Sequence, residues 1–152
     1  MADLDVVEIA DRQGMLEYGR MFAERLQSGD VVLLHGDLGA GKTTLTQGIA
    51  AGLNVLEDIQ SPTFALVAEH SGFDSAGAPV RLYHLDLYRI TRVEELEGLG
   101  YEQYIDPVDG ISIVEWSDRA GGWTPEQFWL LQIAHNDSGG RTIRRSWRDS
   151  IS

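Results

Sequence analysis

The sequence predicts an α/β fold: a mostly parallel central sheet with antiparallel additions, flanked by helices. The main observation is an apolar run of strand length at residues 31–35, which leads into a glycine-rich turn and then into a helical pattern at residues 43–51. Strand, turn and helix in this order are typical of a parallel sheet with crossover helices. The 152 residues contain no internal repeat, low-complexity tract or linker composition, so we expect a single domain over residues 1–152.

The first third of the chain supplies two predicted strands and two predicted helices. Residues 6–9 have the composition of a short opening strand. Apolar and small residues then recur at helical spacing over residues 11–27, which predicts an amphipathic helix that ends before Gly29. Residues 31–35 are interpreted as a strand buried on both faces, and residues 43–51 as the helix after the turn.

The rest of the chain supplies five more predicted strands and one short helix. The strands are apolar runs bounded by turn residues, at residues 64–70, 80–87, 111–114, 128–134 and 142–147. The first two flank a polar loop at residues 71–79, and the last two flank a hairpin-like turn at residues 136–140, so each pair is expected to be antiparallel. Residues 93–99 are predicted to form a short acidic helix.

The composition argues against several classes of protein. With 24 acidic and 12 basic residues the net charge is −12, whereas autonomous binding to nucleic acid needs a basic surface. A role in a nucleic-acid process would therefore pass through a partner. The chain has no cysteine, which excludes disulfides, thiolate zinc sites and cysteine nucleophiles. No apolar run is long enough for a membrane span, and the N-terminus lacks a signal-peptide pattern, so we expect a cytoplasmic protein.

The glycine-rich turn at residues 36–43 reads GDLGAGKT and matches the pattern G-x-x-x-x-G-K-[ST] in full. Its glycines allow the positive φ angles that bring successive backbone N–H groups onto an anion, and the helix that follows points its N-terminus at the same spot. Lys42 can reach the β- and γ-phosphates, and the Thr43 hydroxyl can ligate Mg²⁺. The motif therefore predicts a nucleotide-binding P-loop, the name kept below for these residues, in a single P-loop NTPase-like domain.

A carboxylate near the end of a neighbouring strand is the usual further ligand of Mg²⁺ in such a site. Glu115 follows the strand at residues 111–114, and Asp86 lies near the end of another strand. Each has the alternative interpretation of a solvated strand-end carboxylate. His35 and His84 are interpreted as packed or hydrogen-bonded strand residues rather than as catalytic bases or metal ligands.

Two segments are each dominated by one sign of charge, the first negative and the second positive. Each segment allows two interpretations. The acidic stretch at residues 94–109 is a solvated face or a docking patch for a basic partner. The tail carries Arg141, Arg144, Arg145 and Arg148. It would contact phosphates or a partner, or else protect an edge strand from aggregation.

Four segments, in their order and spacing, closely resemble the TsaE family, the bacterial P-loop ATPases of tRNA threonylcarbamoyladenosine biosynthesis. They read HGDLGAGKTT at residues 35–44, SPTF at 61–64, YHLDLYR at 83–89 and VEW at 114–116. A P-loop by itself identifies only a superfamily. The YHLDLYR segment together with the later VEW segment makes the resemblance specific, and it covers about residues 11–118.

The resemblance implies a role for each matching residue. The residues expected to hold the ATP phosphates are Gly39, Ala40, Gly41, Lys42, Thr43 and Thr44. Thr43 and Glu115 would hold Mg²⁺, directly or through water, with Asp86 beside them as a second acidic group, so that Lys42, Asp86 and Glu115 form the catalytic set. Thr63 would belong to a loop that senses the γ-phosphate, although SPTF also fits a plain turn. Trp116 would be an aromatic side chain beside the site.

The resemblance also implies a function. The expected cofactors are ATP and Mg²⁺, and the expected partner is the TsaD–TsaB heterodimer, which transfers threonylcarbamoyl to adenosine 37 of tRNA. The chain would be the ATPase needed for repeated cycles of that transfer, weak alone, and would meet tRNA only through that complex. Two alternatives remain at this stage: a small P-loop kinase that phosphorylates a nucleotide or metabolite, and a docking module that binds a nucleotide without hydrolysing it.

Overall fold

Seven strands and four helices are formed by the described part of the chain, residues 4–37, 39–57, 59, 67–88, 90–116 and 124–149 of a computed structural model. The strands are β1 (Leu4–Ile9), β2 (Val31–Gly36), β3 (Val67–Phe73), β4 (Pro79–Asp86), β5 (Gly110–Glu115), β6 (Gln127–His135) and β7 (Arg141–Asp149). The helices are α1 (Arg12–Ala23), α2 (Lys42–Gly52), α3 (Glu94–Leu99) and α4 (Glu102–Ile105). All seven strands belong to one sheet, in the order β1-β7-β6-β2-β5-β4-β3.

The centre of this sheet is parallel and its two sides are antiparallel. β6, β2, β5 and β4 run in the same direction, whereas β7 and β1 on one side and β3 on the other pair antiparallel. The apolar runs of β2 and β5 are buried in the middle, as expected for strands covered on both faces. The predicted parallel central sheet with antiparallel additions is confirmed.

Helices cover both faces of the sheet because successive strand residues point to opposite sides. Val32, Leu34 and Ile113 belong to the core that packs under α1 and α2. Leu33 belongs to a second core on the other face, together with Leu96 of α3. Within the described residues, no helix has the length and apolar character needed to cross a membrane.

Helix α1 is shorter than its sequence pattern suggests. It begins after Asp11, whose side chain caps the helix by accepting a 2.8 Å hydrogen bond from the Gly14 N–H. It ends at Ala23 rather than near residue 27. The next N–H groups bond three residues back instead of four, with Arg25 donating to the Phe22 carbonyl at 3.0 Å, so the chain leaves the helix through a tightened turn.

The loop expected at residues 71–79 is in fact a turn over residues 74–78, because residues 71–73 continue strand β3. Phe73 donates its N–H to the Leu53 carbonyl at 2.6 Å. Gly72 lies so close to this carbonyl that a Cβ atom would be 2.2 Å from it. This contact with the segment after α2 extends the strand and has no signal in the local sequence. Helix α4 is likewise absent from the sequence prediction.

Helices α1 and α2 approach each other until their backbones touch at two glycines. A Cβ atom on Gly48 would lie 2.5 Å from the carbonyl oxygen of Leu16, and one on Gly19 would lie 2.7 Å from the backbone nitrogen of Ile49. In a close-packed interior, neither of these backbone atoms can move away from an added Cβ atom unless its whole helix moves. The contact therefore sets the position of α2, and with it the P-loop at the N-terminus of α2.

Gly48→Ala is expected to lower the free energy of unfolding by about 1–3 kcal/mol, because the added methyl group overpacks a backbone contact. Gly98→Ala in α3 is the matched control, since no atom lies within 4 Å of the added Cβ and alanine favours a helix over glycine. Urea unfolding followed by circular dichroism measures both variants. Equal stability of the two variants would contradict the importance of this contact.

Candidate functional site

The P-loop joins β2 to α2 and contains two glycines with positive φ. Gly39 has φ = +83° and Gly41 has φ = +111°, angles that side-chain-bearing residues rarely adopt. Gly41 is the N-cap residue of α2, and none of the described side chains caps this helix. The first turn of α2 therefore presents its backbone N–H groups and the positive end of the helix dipole at the P-loop, the arrangement that binds anions.

Lys42, the first residue of α2, is 6% exposed. Its Nζ donates to the backbone carbonyl of Gly36 and, at 3.4 Å, to that of Asp37. The same Nζ lies 3.9 Å from the centre of the Trp116 ring, within the range of a cation–π interaction. The ammonium group is thus held at the end of β2, with its charge beside the N-terminus of α2.

The two candidate carboxylates lie side by side at the ends of neighbouring parallel strands. Glu115 is the last residue of β5 and Asp86 the last residue of β4, and the two are partners in the strand register. On its other side Glu115 pairs with Leu34, two residues before the P-loop begins. Because parallel strands end at the same edge of a sheet, both carboxylates reach the P-loop.

A cavity of about 330 Å³ lies where these elements meet. It is named here the Lys42 cavity, and it is lined by the P-loop, both strand ends and two aromatic residues: Gly39, Gly41, Lys42, Thr43, Thr44, Asp86, Tyr88, Glu115 and Trp116. The structure therefore brings most of the sequence-predicted site residues to one place. Thr63 lies outside the described residues.

The two carboxylates have different surroundings. Glu115 is buried, and its Oε2 lies 2.5 Å from Nε2 of His84, which is also buried. Asp86 is partly exposed and accepts a 3.0 Å hydrogen bond from the Tyr88 N–H. Burial raises the pKa of Asp86 above its ordinary value of 3.8, and the nearby charge of Glu115 raises this pKa further, while the Tyr88 hydrogen bond opposes the shift.

Trp116 adopts a left-handed backbone conformation, with φ = +61°, directly after the carboxylate at the end of β5. A non-glycine residue in this region costs roughly 1 kcal/mol or more, and such conformations cluster at functional sites. The turn places the indole over Lys42, with its ring centre 5.0 Å from that of Tyr88. The predicted aromatic neighbour of the site is thus accompanied by a second aromatic residue that the sequence interpretation missed.

A second cavity of about 450 Å³ adjoins the first, and Gly39, Gly41 and Thr44 line both. It is named here the Arg141 cavity. Its remaining lining comes from the β1–α1 junction, α1, the P-loop and the β6–β7 hairpin: Ile9, Ala10, Asp11, Arg12, Met15, Ala40, Gly139, Gly140 and Arg141. A flat apolar group carrying a few polar atoms suits such a lining.

Arg141 binds the P-loop itself. Its Nε donates to the Ala40 carbonyl at 3.0 Å, and its guanidinium also reaches the carbonyls of Gly39 at 3.4 Å and Gly140 at 3.0 Å. The sequence indicated that Arg141, one of four tail arginines, lies where a contact with a nucleotide could occur, but it did not connect Arg141 with the P-loop. Its contact with the P-loop spans about a hundred positions of chain and depends on the β6–β7 hairpin, so no local pattern signals it.

His84 is a hydrogen-bonded strand residue, as predicted, but the sequence did not connect it with Glu115. The described residues contain no group of three or more His, Cys, Asp or Glu side chains that would hold a metal ion by themselves. A metal here would therefore need ligands beyond such a cluster.

Comparison with known proteins identifies relatives over most of the chain. The family model for the threonylcarbamoyl adenosine biosynthesis protein TsaE matches residues 9–143. The tRNA threonylcarbamoyladenosine biosynthesis protein TsaE of Nostoc is 40% identical over 88% of this chain and 80% of its own length. The protein of the same name from Haemophilus influenzae is 41% identical, over 85% of this chain and 81% of its own length. The crystal structure of Bacillus subtilis YdiB superposes with a TM-score of 0.70 at 27% identity, over 96% of this chain and 86% of that one.

Asp86→Asn is expected to make the chain more stable near neutral pH. Since the pKa of Asp86 is raised on folding, the stability contributed by its protonated form is complete below the unfolded value of 3.8 and is lost as pH rises through the folded value. Asparagine resembles the protonated form, so the gain in free energy of unfolding should be clear at about pH 7 and shrink towards about pH 4.

Urea unfolding at several pH values measures this gain. Asp137→Asn, in the exposed turn between β6 and β7, controls for removing one negative charge. A gain at Asp86 that is no larger than at Asp137, or that does not change with pH, would contradict the prediction.

Proposed function

Because the chain belongs to the TsaE family of tRNA threonylcarbamoyladenosine biosynthesis proteins, we propose that it binds ATP with Mg²⁺ at the P-loop and hydrolyses it to support this modification. The observation that carries the proposal is the Lys42 cavity, where a P-loop lysine and two strand-end carboxylates line one space. This combination is the one that P-loop hydrolases use for a nucleoside triphosphate.

The two adjoining cavities support ATP as the ligand. The triphosphate would lie along the P-loop and the first turn of α2, with its terminal phosphates in the Lys42 cavity. The adenosine would lie in the Arg141 cavity, against Ile9, Met15 and Ala40. Since Gly39, Gly41 and Thr44 line both cavities, an ATP molecule would extend from one cavity into the other across the P-loop.

The donor set is suited to Mg²⁺ bound together with a nucleotide. Mg²⁺ is usually held by one or two protein oxygens, water and substrate phosphates rather than by a complete protein cage. The Thr43 hydroxyl and the Glu115 carboxylate would supply those oxygens, directly or through water. When bound, Mg²⁺ would neutralise charge on the β- and γ-phosphate oxygens.

Hydrolysis would be an in-line attack of water on the γ-phosphorus. The bond from the water oxygen forms as the bond to the β–γ bridging oxygen breaks, which releases ADP and inorganic phosphate. Lys42 and the P-loop N–H groups stabilise the charge on the transferring group. Asp86 would orient the attacking water and accept its proton, a role favoured by its raised pKa.

A partner is expected to complete the site. Among the described residues, none that lines the Lys42 cavity is an arginine, and arginine fingers speed hydrolysis strongly in related chemistry. We therefore propose that the chain alone turns over slowly and that a TsaD–TsaB pair stimulates it. With its net charge of −12, the chain would reach tRNA only through that complex.

Phosphate release from Mg-ATP, by the chain alone and with TsaD–TsaB and tRNA, tests the proposal. Lys42→Ala should abolish ATP binding or turnover, because it removes the main positive charge on the phosphates. Glu115→Ala should keep nucleotide binding but lower Mg²⁺-dependent turnover by roughly a hundredfold or more. Glu17→Ala, at an exposed glutamate of α1 outside both cavities, is the control.

Three outcomes would count against the proposal. Absence of stimulation by the pair would remove the partner role, and unchanged turnover of Glu115→Ala would refute the metal assignment. Transfer of the γ-phosphate to an added acceptor would identify a kinase instead of an ATPase.

Arg141→Ala is expected to raise the Kd for ATP roughly tenfold, because it deletes charge-assisted hydrogen bonds that fix the P-loop carbonyls. Arg144→Ala, on the same strand but exposed, should bind ATP like the wild type. Isothermal titration with ATP measures both affinities. A Kd for Arg141→Ala equal to that of Arg144→Ala would show that the P-loop keeps its shape without this residue.

A further inference from the structure

We propose that His84 is a positioning residue for Glu115: its Nε2–H donates to Oε2 and fixes the carboxylate so that Oε1 serves the Lys42 cavity. The inference rests on the proposed ATPase function and adds to it a residue that touches neither nucleotide nor metal. Nε2 of His84 and Oε2 of Glu115 are 2.5 Å apart. Among the described residues, His84 is the one whose side chain is recorded in a hydrogen bond with the Glu115 carboxylate.

Burial makes this hydrogen bond important. The His84 side chain is 0% exposed and that of Glu115 is 4% exposed, so water does little to solvate either group. A buried carboxylate without a partner is costly, and it adopts whichever rotamer meets a donor. Without His84, the remaining polar neighbours would lie on the cavity side, and the carboxylate would lose its fixed orientation.

The strand register explains why the two side chains meet. His84 and Asp86 are two residues apart on β4, and their register partners on β5 are Ile113 and Glu115. All four therefore lie on the sheet face that α1 and α2 cover. His84 lies two residues before the end of β4, so it is further from the P-loop than the two carboxylates are. From this position it supports Glu115 on the side away from the Lys42 cavity.

The two ring nitrogens of His84 have different surroundings. Nδ1 is buried and has no hydrogen-bond partner in the part of the chain that the structure describes. Nε2 is therefore the ring nitrogen that takes part in a side-chain contact, and because it faces a carboxylate oxygen it is the donor in this pair. As a hydrogen-bond donor, His84 orients Glu115 for the metal that this carboxylate would hold.

On the side away from the two carboxylates, the neighbours of His84 are apolar: Leu82 precedes it on the same face and Ile113 is its register partner. An aliphatic side chain would fill this place at lower desolvation cost. The imidazole is therefore explained by what it donates rather than by the space it fills. His70, by contrast, lies on edge strand β3 and pairs with the exposed Glu57.

Three substitutions separate donation from packing. His84→Leu removes the donor and keeps the approximate volume. His84→Gln places an amide N–H near the position of Nε2, whereas the shorter His84→Asn does not reach it and replaces His84→Leu if that variant fails to fold. His70→Leu is the matched control, since it removes a largely buried histidine from the same sheet.

Two measurements apply to each variant: steady-state phosphate release with TsaD–TsaB and tRNA, and binding of ATP with increasing Mg²⁺ in the absence of turnover. His84→Leu should lower kcat by about 10–100-fold, raise the half-saturating Mg²⁺ concentration about tenfold, and leave KM for ATP at saturating Mg²⁺ within about twofold. His84→Gln should stay within about threefold of the wild type in all three quantities, and His70→Leu should match the wild type.

The outcomes are distinguishable. Wild-type kcat and Mg²⁺ dependence in His84→Leu, or in His84→Asn in its place, would overturn the role of His84 and leave the ATPase proposal intact. Equal losses in His84→Gln and His84→Leu would also overturn it, in favour of a packing role. A wild-type chain that neither binds nor hydrolyses Mg-ATP would overturn the proposed function itself.

Discussion

The site depends on the parallel pairing of β2, β5 and β4. Parallel strands finish at the same edge, so this one ladder brings the P-loop after β2 beside Glu115 at the end of β5 and Asp86 at the end of β4. Register is as important as direction. A slip of one residue in β5 would turn Glu115 from the α1–α2 face to the opposite face and replace it there with Val114. β5 is buried along its whole length, so its side chains pack on both faces of the sheet, and this packing holds the register on which the position of Glu115 depends.

The same place accumulates features that by themselves destabilise the fold. Lys42 and Glu115 are almost completely buried, Asp86 has a raised pKa, and Trp116 has a left-handed backbone conformation. Each opposes folding, and the well-packed core under α1 and α2 offsets them. Departures from stability rules gathered around one cavity are typical of a functional site. The glycine contact at Gly48 holds α2 rigidly enough to keep these groups together.

The sequence predicts the features whose signal is local, and it does not predict the features that depend on tertiary contacts. The P-loop could be predicted because its chemistry lies within eight consecutive residues, and Glu115 because a buried strand in an α/β fold ends at the ligand-binding edge. The extension of β3 through Gly72 depends on a contact with a distant segment. The end of α1 at Ala23 is a tightened turn that the periodic pattern does not show. The aid that His84 gives to Glu115 depends on strand register, which a single sequence does not specify.

The antiparallel strands at the edge of the sheet have a role that the parallel core cannot fill. β1 pairs with β7 in a register that sets Ile9 opposite Arg141, and both residues line the Arg141 cavity beside the P-loop. The segment shared with the family begins at residue 9 and ends at residue 143, so its two ends are neighbours in the sheet. A P-loop with the parallel strands alone would hold phosphates but would lack this wall. β1 and β7 therefore belong to the proposed nucleotide site as fully as the P-loop does, because they supply both the apolar wall and the guanidinium that holds the loop carbonyls.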